Sequence, residues 1–404
     1  MKNISEVVAL TQKLVQIEST NVGTFEGEIS LFVEEWLKKY TKAEIVRDEF
    51  EEGRFNVMAK LKGEAQHPNL LYLAHMDTVP VGNGWTKDPF GGEIEGNKLY
   101  GRGSCDMKCG LAAAMIAFRD FENECREKGT TPKYDFIFVA TGDEEDVMKG
   151  ADRLVALGVA DKDSLVLDTE PTNSVRVMKS MAANKIEDGA RQFVAMAHKG
   201  KTWFEITTKG KPAHGSMPST GVDAIIAMAE VVLEIRNRIE SYAPDPLMGK
   251  PSVCFGTING GNNTNIVAES CTITIDMRLS PPLTTEGSYK LVEDAIAAGT
   301  ARVPGSSGSY KVIAKRPFVL QNDDSFLLAK LRESCKEVTG DDLTPMMITG
   351  YTDSGVIDGS TGCGNGMSYG AAGYGAHQAD EYVLCDSIEE NLAVISNLAR
   401  RILL

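Results

Sequence analysis

The sequence predicts an α/β protein with a mostly parallel sheet covered by helices on both faces, and a separate α+β domain inserted into it. In residues 1–198, short and almost continuously apolar strands alternate with helical patterns, which is typical of a parallel sheet buried on both sides. Residues 199–316 change to a βαββαβ order, that of a ferredoxin-like unit. The earlier pattern returns in residues 317–404, so we expect this segment to complete the first domain.

The first domain is predicted from patterns taken in chain order. The stretches "MKNISEVVALTQKLVQIEST" and "EISLFVEEWLKKY" have helical spacing, and strands follow at "FNVMAKLKG" and "NLLYLAHMD". The small-residue helix "KCGLAAAMIAFRDF" precedes the strand "YDFIFVAT", and the helix "ADRLVALG" precedes the strand "SLVLDTE". Because the carboxyl ends of parallel strands meet at one edge of a sheet, we expect functional groups at that edge.

The inserted domain and the C-terminal segment complete the predicted elements. The insert reads as the strand "TWFEITTKG", the helix "VDAIIAMAEVVLEIRNRI", the strands "VCFGTING" and "CTITIDMRLS", the helix "GSYKLVEDAIAAG" and the strand "YKVIAKR". The helix "SFLLAKLRESCKEV" follows, then a glycine-rich stretch over residues 350–375 and the closing helix "SIEENLAVISNLARRIL". Within the glycine-rich stretch, "MSYGAAG" predicts a strand that leads into a loop.

Composition and charge narrow the class of function. Hydrophobic residues make up 42% of the chain and charged residues 25%, as in soluble globular proteins. The net charge of −15 argues against nucleic acid or an anionic membrane as a partner. The sequence has no apolar run near the roughly 20 residues that span a bilayer, and its N-terminus is not patterned as a signal peptide. These features, with eight scattered cysteines, predict a cytoplasmic protein without a disulfide framework.

Two adjacent acids, Glu144 and Glu145, follow an apolar strand in "FVATGDEEDVMKG". Adjacent carboxylates repel, so a fold that gathers them usually holds a cation between them or keeps one protonated for proton transfer. A solvated loop at a strand end would also explain them.

Further candidate ligands stand at other strand ends. His75 and Asp77 are two residues apart in "LYLAHMDTVP", so their side chains share a face and the carboxylate can support the imidazole. The alternative is that His75 stands at a strand end in an ordinary turn and binds no metal. Asp106, in "YGRGSCDMKCG", starts a helix, where an acid is most simply an N-cap. The flanking Cys105 and Cys109 are interpreted as buried or spectator thiols, because they have no Cys/His partner pair at zinc-site spacing.

The remaining candidates follow later strands. Asp168 and Glu170 end the strand "SLVLDTE", and His377 lies in "GAHQADEYV" after the glycine-rich stretch. Two histidines with several carboxylates at successive strand ends form a ligand set for a pair of zinc-like ions bridged by one carboxylate.

These motifs resemble those of a known family. It is the family of dinuclear zinc amidohydrolases that includes acetylornithine deacetylase, succinyl-diaminopimelate desuccinylase, aminoacylase and carboxypeptidase G. The resemblance covers nearly the whole chain, and several motifs in one order make it specific. The motifs are "HMDTVP", "GRGSCDMKCG", "TGDEED", "DTEPTN", "GKPAHGSMPSTGVDAI", "GGNNTNIVAE", "DMR" and "AHQADEY".

The resemblance implies roles for the residues in the first domain. One zinc would take His75 and Glu170, and the other would take Glu145 and His377; cobalt is a possible substitute. Asp106 would bridge the two ions. Asp77 would support His75, and Glu144 would be the general base that activates a bridging water for attack on an amide. Asp168 is the alternative to Glu170 as ligand.

The resemblance also implies roles for the inserted domain, as a lid and dimerisation domain of a homodimer. His214 and Asn265 would reach the active site of the partner subunit, where the histidine stabilises an oxyanion. Arg278 would hold a substrate carboxylate, and Thr352 would line the substrate pocket.

Some features depart from the family pattern. Asp143 replaces a small or neutral residue, the two cysteines replace small ones, and the segment "MKSMAANKIEDGARQFVAMAHKG" is long. The expected function is metal-dependent removal of an acyl group from the nitrogen of an amino acid. A di- or tripeptidase is the alternative in the same chemistry, and a non-catalytic binder of amino-acid derivatives, or a metal-free binding module, is the alternative in another class.

Overall fold

The computed structural model describes residues 4–177 and 191–404, so residues 178–190 of the long segment lie outside the described part. The chain divides into two compact units. The first consists of Met1–Met196, Gln321–Met346 and Thr352–Leu404, and the second consists of Ala197–Leu320 and Met347–Tyr351. The boundaries expected after residues 198 and 316 stay predictions.

Helices and strands alternate through both units. The strands are β1 (Glu44–Glu51), β2 (Arg54–Leu61), β3 (Ala65–His75), β4 (Ile94–Glu95), β5 (Lys98–Tyr100), β6 (Tyr134–Thr141), β7 (Leu165–Asp168), β8 (Gln192–His198), β9 (Gly200–Lys209), β10 (Ser252–Gly260), β11 (Ser270–Leu279), β12 (Ser307–Arg316), β13 (Leu343–Ile348), β14 (Gly366–Ser368), β15 (Gly373–Tyr374) and β16 (Tyr382–Leu384). The helices are α1 (Glu6–Val15), α2 (Gly27–Tyr40), α3 (Cys109–Lys128), α4 (Lys149–Ala156), α5 (Ala224–Glu240), α6 (Thr285–Ala301), α7 (Phe326–Thr339), α8 (Asp353–Thr361) and α9 (Cys385–Leu403). Among the described helices, none is both long and apolar enough to cross a membrane.

The largest sheet has the strand order β1-β2-β6-β3-β7-β14-β8-β13. Its central strands β6, β3, β7 and β14 are parallel, whereas β1 and β2 on one side and β8 on the other run antiparallel to their neighbours. The structure therefore confirms the predicted α/β fold class. It also brings the carboxyl ends of β3, β6 and β7 to one edge, because these neighbouring strands run in the same direction.

Both faces of this sheet are covered, as its apolar strands require. On β3, Leu70, Tyr72 and Ala74 pack into a core with α1, α3 and α9. Leu71 and Leu73 point to the opposite face and pack with side chains of α4 and α8. Successive strand residues alternate between faces, so a strand buried on both sides must be apolar throughout.

Some elements of the first unit were not predicted. Strand β1 lies at the edge of the sheet, and its alternate residues are exposed, so its sequence "EIVRDEFE" is mostly charged. Helix α8 forms within the glycine-rich stretch. A small sheet with order β15-β16-β5-β4 was also missed because its strands have only two or three residues. His377 lies in the loop between β15 and β16.

The second unit has the predicted βαββαβ order. Its four-stranded antiparallel sheet has the order β10-β11-β9-β12, and α5 and α6 pack on one face of it. The core between helices and sheet contains Phe204, Ile206, Met228, Ile273 and Val292, all fully or almost fully buried. This strand order is that of a ferredoxin-like fold.

Close packing of α3 against the end of β7 gives a testable prediction. A Cβ atom at Gly110 would lie 2.2 Å from the main-chain oxygen of Thr169, which joins β7 to Glu170. We therefore expect Gly110→Ala to lower the free energy of unfolding by about 1–3 kcal/mol, because either the helix or the strand end must move. Chemical denaturation measures this change.

The matched control is Gly27→Ala in α2, where an added Cβ meets nothing within 4 Å. That variant should be neutral or stabilised by up to about 1 kcal/mol, because alanine favours a helix over glycine. Equal effects of the two substitutions would contradict the proposed packing constraint.

Candidate metal centre

His75 is the last residue of β3, and the chain fixes the direction of its ring. Its Nδ1 lies 2.9 Å from the main-chain oxygen of Asp77, and the nearer Asp77 carboxylate oxygen is 3.8 Å away. The carbonyl can only accept, so Nδ1 donates to it, and Nε2 is the ring nitrogen that a metal ion could bind once it has lost its proton. Nε2 faces Asp106 Oδ1 at 3.2 Å and Glu170 Oε1 at 3.7 Å.

Asp106 lies in the irregular turn that precedes α3, and Glu381 holds this turn. The Glu381 carboxylate is fully buried and accepts backbone N–H groups from Gly103, Cys105 and Asp106, at 3.1, 2.9 and 3.0 Å. It also pairs with the Arg102 guanidinium at 2.5 Å. Hydrogen bonds on both oxygens keep the turn, and with it the Asp106 side chain, in one position.

The two carboxylate oxygens of Asp106 face two different imidazoles. Oδ1 is 3.2 Å from His75 Nε2, and Oδ2 is 3.5 Å from His377 Nε2. His377 Nε2 also lies 3.0 Å from Glu145 Oε2. Each imidazole thus has a carboxylate of its own, Glu170 for His75 and Glu145 for His377, with Asp106 between them.

Glu144 and Glu145 follow β6, and Asp77 fixes their backbone. Its Oδ1 accepts the N–H of Glu144 and its Oδ2 accepts the N–H of Glu145, both at 3.2 Å. Asn21 Nδ2 donates to Asp77 Oδ2 at 2.9 Å and to Asp143 Oδ1 at 3.2 Å. The Glu144 side chain turns towards His75, with Oε2 4.0 Å from Nε2.

Asp143, which departs from the family pattern, belongs to a buried charge network behind this loop. Arg54 donates to both oxygens of Glu26, at 2.7 and 2.5 Å, and its Nη1 lies 2.9 Å from Asp143 Oδ1. Asp143 Oδ2 accepts the N–H of Lys149 at 3.1 Å, and its own N–H donates to Glu26. The extra acid therefore has a structural partner and stabilises the loop that carries the glutamate pair.

Asp168 and Glu170 occupy different surroundings. Asp168 Oδ2 accepts the N–H of Ser354 in α8 at 3.2 Å, whereas the Glu170 carboxylate faces His75. This contact favours Glu170 over Asp168 as a ligand. Asp353, beside Ser354, accepts from the Thr141 hydroxyl at 2.5 Å through Oδ2, and its buried Oδ1 has no hydrogen-bond partner.

Burial and mutual repulsion shift the pKa values of these groups. Burial raises the pKa of Glu144 well above its ordinary value; His75 opposes this shift and Glu145 adds to it. Burial likewise raises the pKa of Glu170 and brings that of Asp168 to about 7. Hydrogen bonds to Asp106 and Glu145 raise the pKa of His377 to about 10.

The two groups at the centre shift in opposite directions. Burial acts to lower the pKa of His75, but the hydrogen bond to Asp106 and the charges of Glu170 and Glu144 outweigh it and raise the pKa. Burial acts to raise the pKa of Asp106, but His377 and His75 hold it well below its ordinary range. In the absence of another cation, the two imidazoles therefore neutralise this carboxylate.

The donor set fits divalent metal ions. Two overlapping groups place one donor atom from each residue within 4.8 Å of the others: His75, Asp106 and Glu145, and His75, Glu144 and Glu170. Glu145 Oε1 is buried without a hydrogen-bond partner, which is costly for a carboxylate unless a cation satisfies it. Imidazole and carboxylate donors suit zinc and similar ions.

The cysteines take no part in these groups. Cys105 and Cys109 are both buried, and Cys109 Sγ donates to the main-chain oxygen of Cys105 at 3.3 Å. Burial raises the pKa of Cys109 above the range in which a thiolate forms easily.

Three of the four residues expected to contact the substrate belong to the second unit, and Thr352 belongs to the first. His214 and Asn265 are exposed neighbours in the second unit, where the N–H of Gly215 donates to the main-chain oxygen of Asn265 at 2.7 Å. Arg278 is on β11 of the same unit. Thr352 is buried at the start of α8 and caps this helix, because its hydroxyl accepts the N–H of Gly355 at 3.4 Å; the hydroxyl also lies 2.9 Å from Ser354 Oγ.

Four residues with evident roles at the centre were missed in the sequence. Arg102 and Glu381 fix the Asp106 turn, Asn21 fixes Asp77, and Asp353 is a buried carboxyl beside Asp168. Arg102 and Glu381 lie within the motifs "GRGSCDMKCG" and "AHQADEY", and Asp353 directly follows Thr352. Asn21 had no such signal.

Fold and site together define the class: an α/β protein with a carboxylate–imidazole metal centre at the edge of its sheet and a ferredoxin-like second unit. Residues 71–401 match the model of Peptidase family M20/M25/M40, so the chain belongs to this family. The match confirms the resemblance seen in the motifs.

Similar curated proteins and solved structures agree with this assignment. The chain is 33% identical over 260 residues to acetylornithine deacetylase of Photorhabdus laumondii, which covers 63% of the chain and 60% of that protein. A similar match, 33% over 259 residues, is to the enzyme of the same name from Proteus mirabilis. The chain thus spans about 60% of the length of these relatives.

The structural likeness extends over nearly the whole chain. Aminopeptidase PepT from Bacillus cereus has a TM-score of 0.75 at 19% identity, with 99% of both chains covered. A family M20 metallo-carboxypeptidase from Sulfolobus solfataricus has a TM-score of 0.74 at 16% identity, again over 99% of both chains. At 19% and 16% sequence identity, these two matches show that the fold is shared.

The carboxyl groups of the centre predict how metal ions affect stability at different pH. Without ions, Glu144, Glu145, Glu170 and Asp168 have raised pKa values, so the folded chain binds more protons than the unfolded chain. Stability of the ion-free protein then falls as pH rises from the ordinary carboxyl range through about 7. Ions that neutralise these groups should raise the Tm more at about pH 8 than at about pH 5.5.

Thermal unfolding with and without added zinc, at both pH values, measures this difference. Asp106→Asn is the control, because it removes the carboxylate shared by both imidazoles and should reduce the zinc-dependent gain. A zinc-dependent gain that is equal at both pH values in the unaltered protein would contradict the prediction.

Proposed function

We propose that the chain is a metal-dependent hydrolase that cleaves the amide bond of an N-acyl amino acid. The observation that carries this proposal is the position of Asp106 between two imidazoles, each with its own carboxylate, with Glu144 alongside. His75 and Glu170 would hold one divalent ion, His377 and Glu145 the other, and Asp106 would bridge them. Zinc is the proposed metal, with cobalt as a substitute.

Glu144 is the proposed general base. Burial raises the pKa of Glu144 above that of an ordinary carboxyl, which makes its carboxylate a stronger proton acceptor. When bound, the ions would polarise the substrate carbonyl and make the attacking water more acidic. Glu144 accepts the proton of that water and then delivers it to the leaving amine. Asp77 holds the Glu144 backbone, so the carboxylate acts from a fixed position.

Side chains of the second unit are proposed to recognise the substrate. Arg278 would hold the substrate carboxylate through its planar fork, and His214 would stabilise the oxyanion with help from Asn265. Thr352 would act near the substrate pocket as the cap of α8.

A di- or tripeptidase is the second candidate. The acetylornithine deacetylases that match this chain favour the deacylase, whereas an aminopeptidase and a carboxypeptidase are among the similar solved structures. Both activities hydrolyse an amide bond, so the same centre serves either one. The non-catalytic binder is disfavoured, because the complete set of donors and Glu144 are all present.

We further propose that the protein acts in the cytoplasm as a homodimer. His214 is exposed, and its Nδ1 is 2.8 Å from the Ser216 hydroxyl, which leaves Nε2 as the nitrogen that can act on a substrate. Dimerisation through the second unit would let His214 act at the centre of the partner subunit, about a two-fold axis.

Glu144→Ala tests both the reaction and the role of the base. The unaltered protein, with zinc or cobalt, should release free amine from members of a panel of N-acetyl amino acids, N-succinyl amino acids and dipeptides. Glu144→Ala should lower kcat by about 10²–10⁴ or more, because the proton acceptor is lost. Its metal content should stay near that of the unaltered protein.

Glu145→Ala is the matched comparison, since it changes the neighbouring residue of the same loop. It should lose one metal ion, as measured by elemental analysis of the purified protein. Turnover near the unaltered rate in Glu144→Ala at saturating metal would show that the two roles are assigned wrongly. No amine release from any member of the panel would refute the proposed hydrolase.

Complementation between two inactive variants tests the homodimer. Mixing His214→Ala with Glu144→Ala should restore part of the activity, because a heterodimer would have one centre with both residues intact. Subunit exchange must be shown in the same mixture by light scattering or mass labelling. Exchange without recovery of activity, or full activity of a monomer, would mean that His214 acts within its own chain.

A further inference from the structure

The two imidazoles of the centre are held in different ways, although both face Asp106. The His75 ring is buried, and its Nδ1 donates to the main-chain oxygen of Asp77 at 2.9 Å. The His377 side chain is 55% exposed, and its Nδ1 has no such acceptor in the described part of the chain. The position of the His377 ring therefore depends mainly on the segment that carries it.

That segment is the turn between β15 and β16, residues 375–381, here called the His377 loop. Its backbone is unusual, because Gly375, His377 and Asp380 have positive φ values of 81°, 64° and 54°. For residues other than glycine such values are uncommon and cost energy, so they persist only where the surroundings enforce them. The His377 loop therefore needs contacts that attach it to another part of the first unit.

Asp380 attaches the His377 loop to a second loop, residues 81–90. Its Oδ1 accepts the main-chain N–H groups of Thr86 and Lys87, at 2.8 and 3.2 Å. Its Oδ2 accepts the Thr86 hydroxyl at 2.8 Å. Three hydrogen bonds from two adjacent residues thus fix both oxygens of the carboxylate, and with them the backbone three residues after the imidazole.

The second loop is itself fixed, so it can support the His377 loop. Trp85 Nε1 donates to the main-chain oxygen of Val81 at 2.7 Å, and the Arg102 guanidinium lies 5.3 Å from the centre of the Trp85 ring. Arg102 also donates to the main-chain oxygen of Val81 at 3.3 Å and pairs with Glu381. Thr86 therefore follows a residue that is packed against a buried cation.

The Asp380 carboxylate is not part of the carboxylate–imidazole centre. It belongs to neither of the two donor groups found among the described residues, and both of its oxygens accept from the second loop. Any effect of Asp380 on the centre must therefore pass through the backbone of the His377 loop or act as a negative charge at a distance. These two routes can be separated by substitution.

We propose that Asp380 is a positioning residue that sets the affinity of the metal ion held by His377 and Glu145, by fixing the His377 loop against the second loop. This role rests on the proposed function, in which each imidazole takes its own ion. The ion of His75 and Glu170 should not depend on Asp380, because the chain holds the His75 ring directly.

Calorimetric titration of the metal-free protein with zinc tests this role without turnover. The unaltered protein should bind two zinc ions. Asp380→Ala should weaken one ion about tenfold, as expected when a ligand loses the contacts that orient it, and change the other less than about twofold. Thr86→Val removes the hydroxyl donor from the other side of the contact. It should weaken the same ion about threefold, and it is the second variant if Asp380→Ala does not fold.

Asp380→Asn separates position from charge. The asparagine oxygen can accept both main-chain N–H groups, and its amide can donate to the Thr86 hydroxyl, so zinc affinity should stay within about twofold of the unaltered protein. Asp88→Ala is the matched control, because it removes a carboxylate of the second loop that accepts the N–H of Phe90 within that loop at 2.9 Å. It should bind both ions like the unaltered protein.

Glu145→Ala shows which ion depends on Asp380. It should remove the ion shared with His377, so Asp380→Ala added to Glu145→Ala should change the affinity of the remaining ion less than about twofold. A tenfold loss in this double variant would place the effect at the other ion and overturn the inference.

Three further results would overturn the inference while leaving the two-ion centre in place. They are no loss or an equal loss of both ions in Asp380→Ala, a loss in Asp380→Asn as large as that in Asp380→Ala, and the same loss in Asp88→Ala. Fewer than two zinc ions bound by the unaltered protein would instead refute the proposed centre, and the role of Asp380 with it.

Discussion

Electrostatic repulsion among the carboxylates at the edge of the large sheet is the constraint on which the rest of the first unit depends. Asp106, Glu144, Glu145 and Glu170 surround two imidazoles in largely buried positions, where water screens their charges poorly. Such a group is stable only if its members are held apart or neutralised. The hydrogen bonds around the centre show how the chain holds these carboxylates in place.

Backbone amides and buried cations hold the loops that carry these carboxylates. Asp77 and Glu381 each accept backbone N–H groups, so they fix the loops that carry Glu144, Glu145 and Asp106 without adding unpaired charge to the centre. Arg102 balances Glu381, and Arg54 balances Glu26 and Asp143. The donors of the centre are thus positioned by polar groups that do not themselves face it.

The fold class and the members of the centre could be predicted because their signals are local. A strand buried on both faces is apolar throughout, and each candidate donor stands where such a strand or its following loop ends. Contacts between distant segments have no such signal: Arg102 and Glu381 are 279 residues apart, and Asn21 and Asp77 are 56 apart.

Other features were missed for reasons of local chemistry. Edge strand β1 is mostly charged, because half of its surface meets water. Helix α8, "DSGVIDGST", contains glycines and small polar residues that favour helices weakly, so it forms through its Thr352 cap and its packing against the sheet.

The path of the chain through the second unit has a consequence for exchanging parts between relatives. That unit consists of Ala197–Leu320 together with the five-residue segment Met347–Tyr351, which comprises the last two residues of β13 and the three that follow. Within the segment, Ile348 accepts a hydrogen bond from Lys199, and the ring of Tyr351 is 5.4 Å from that of His198. A chimera that replaces only the long stretch would pair a foreign unit with the native short segment. A functional exchange must therefore transplant two separate pieces of sequence together.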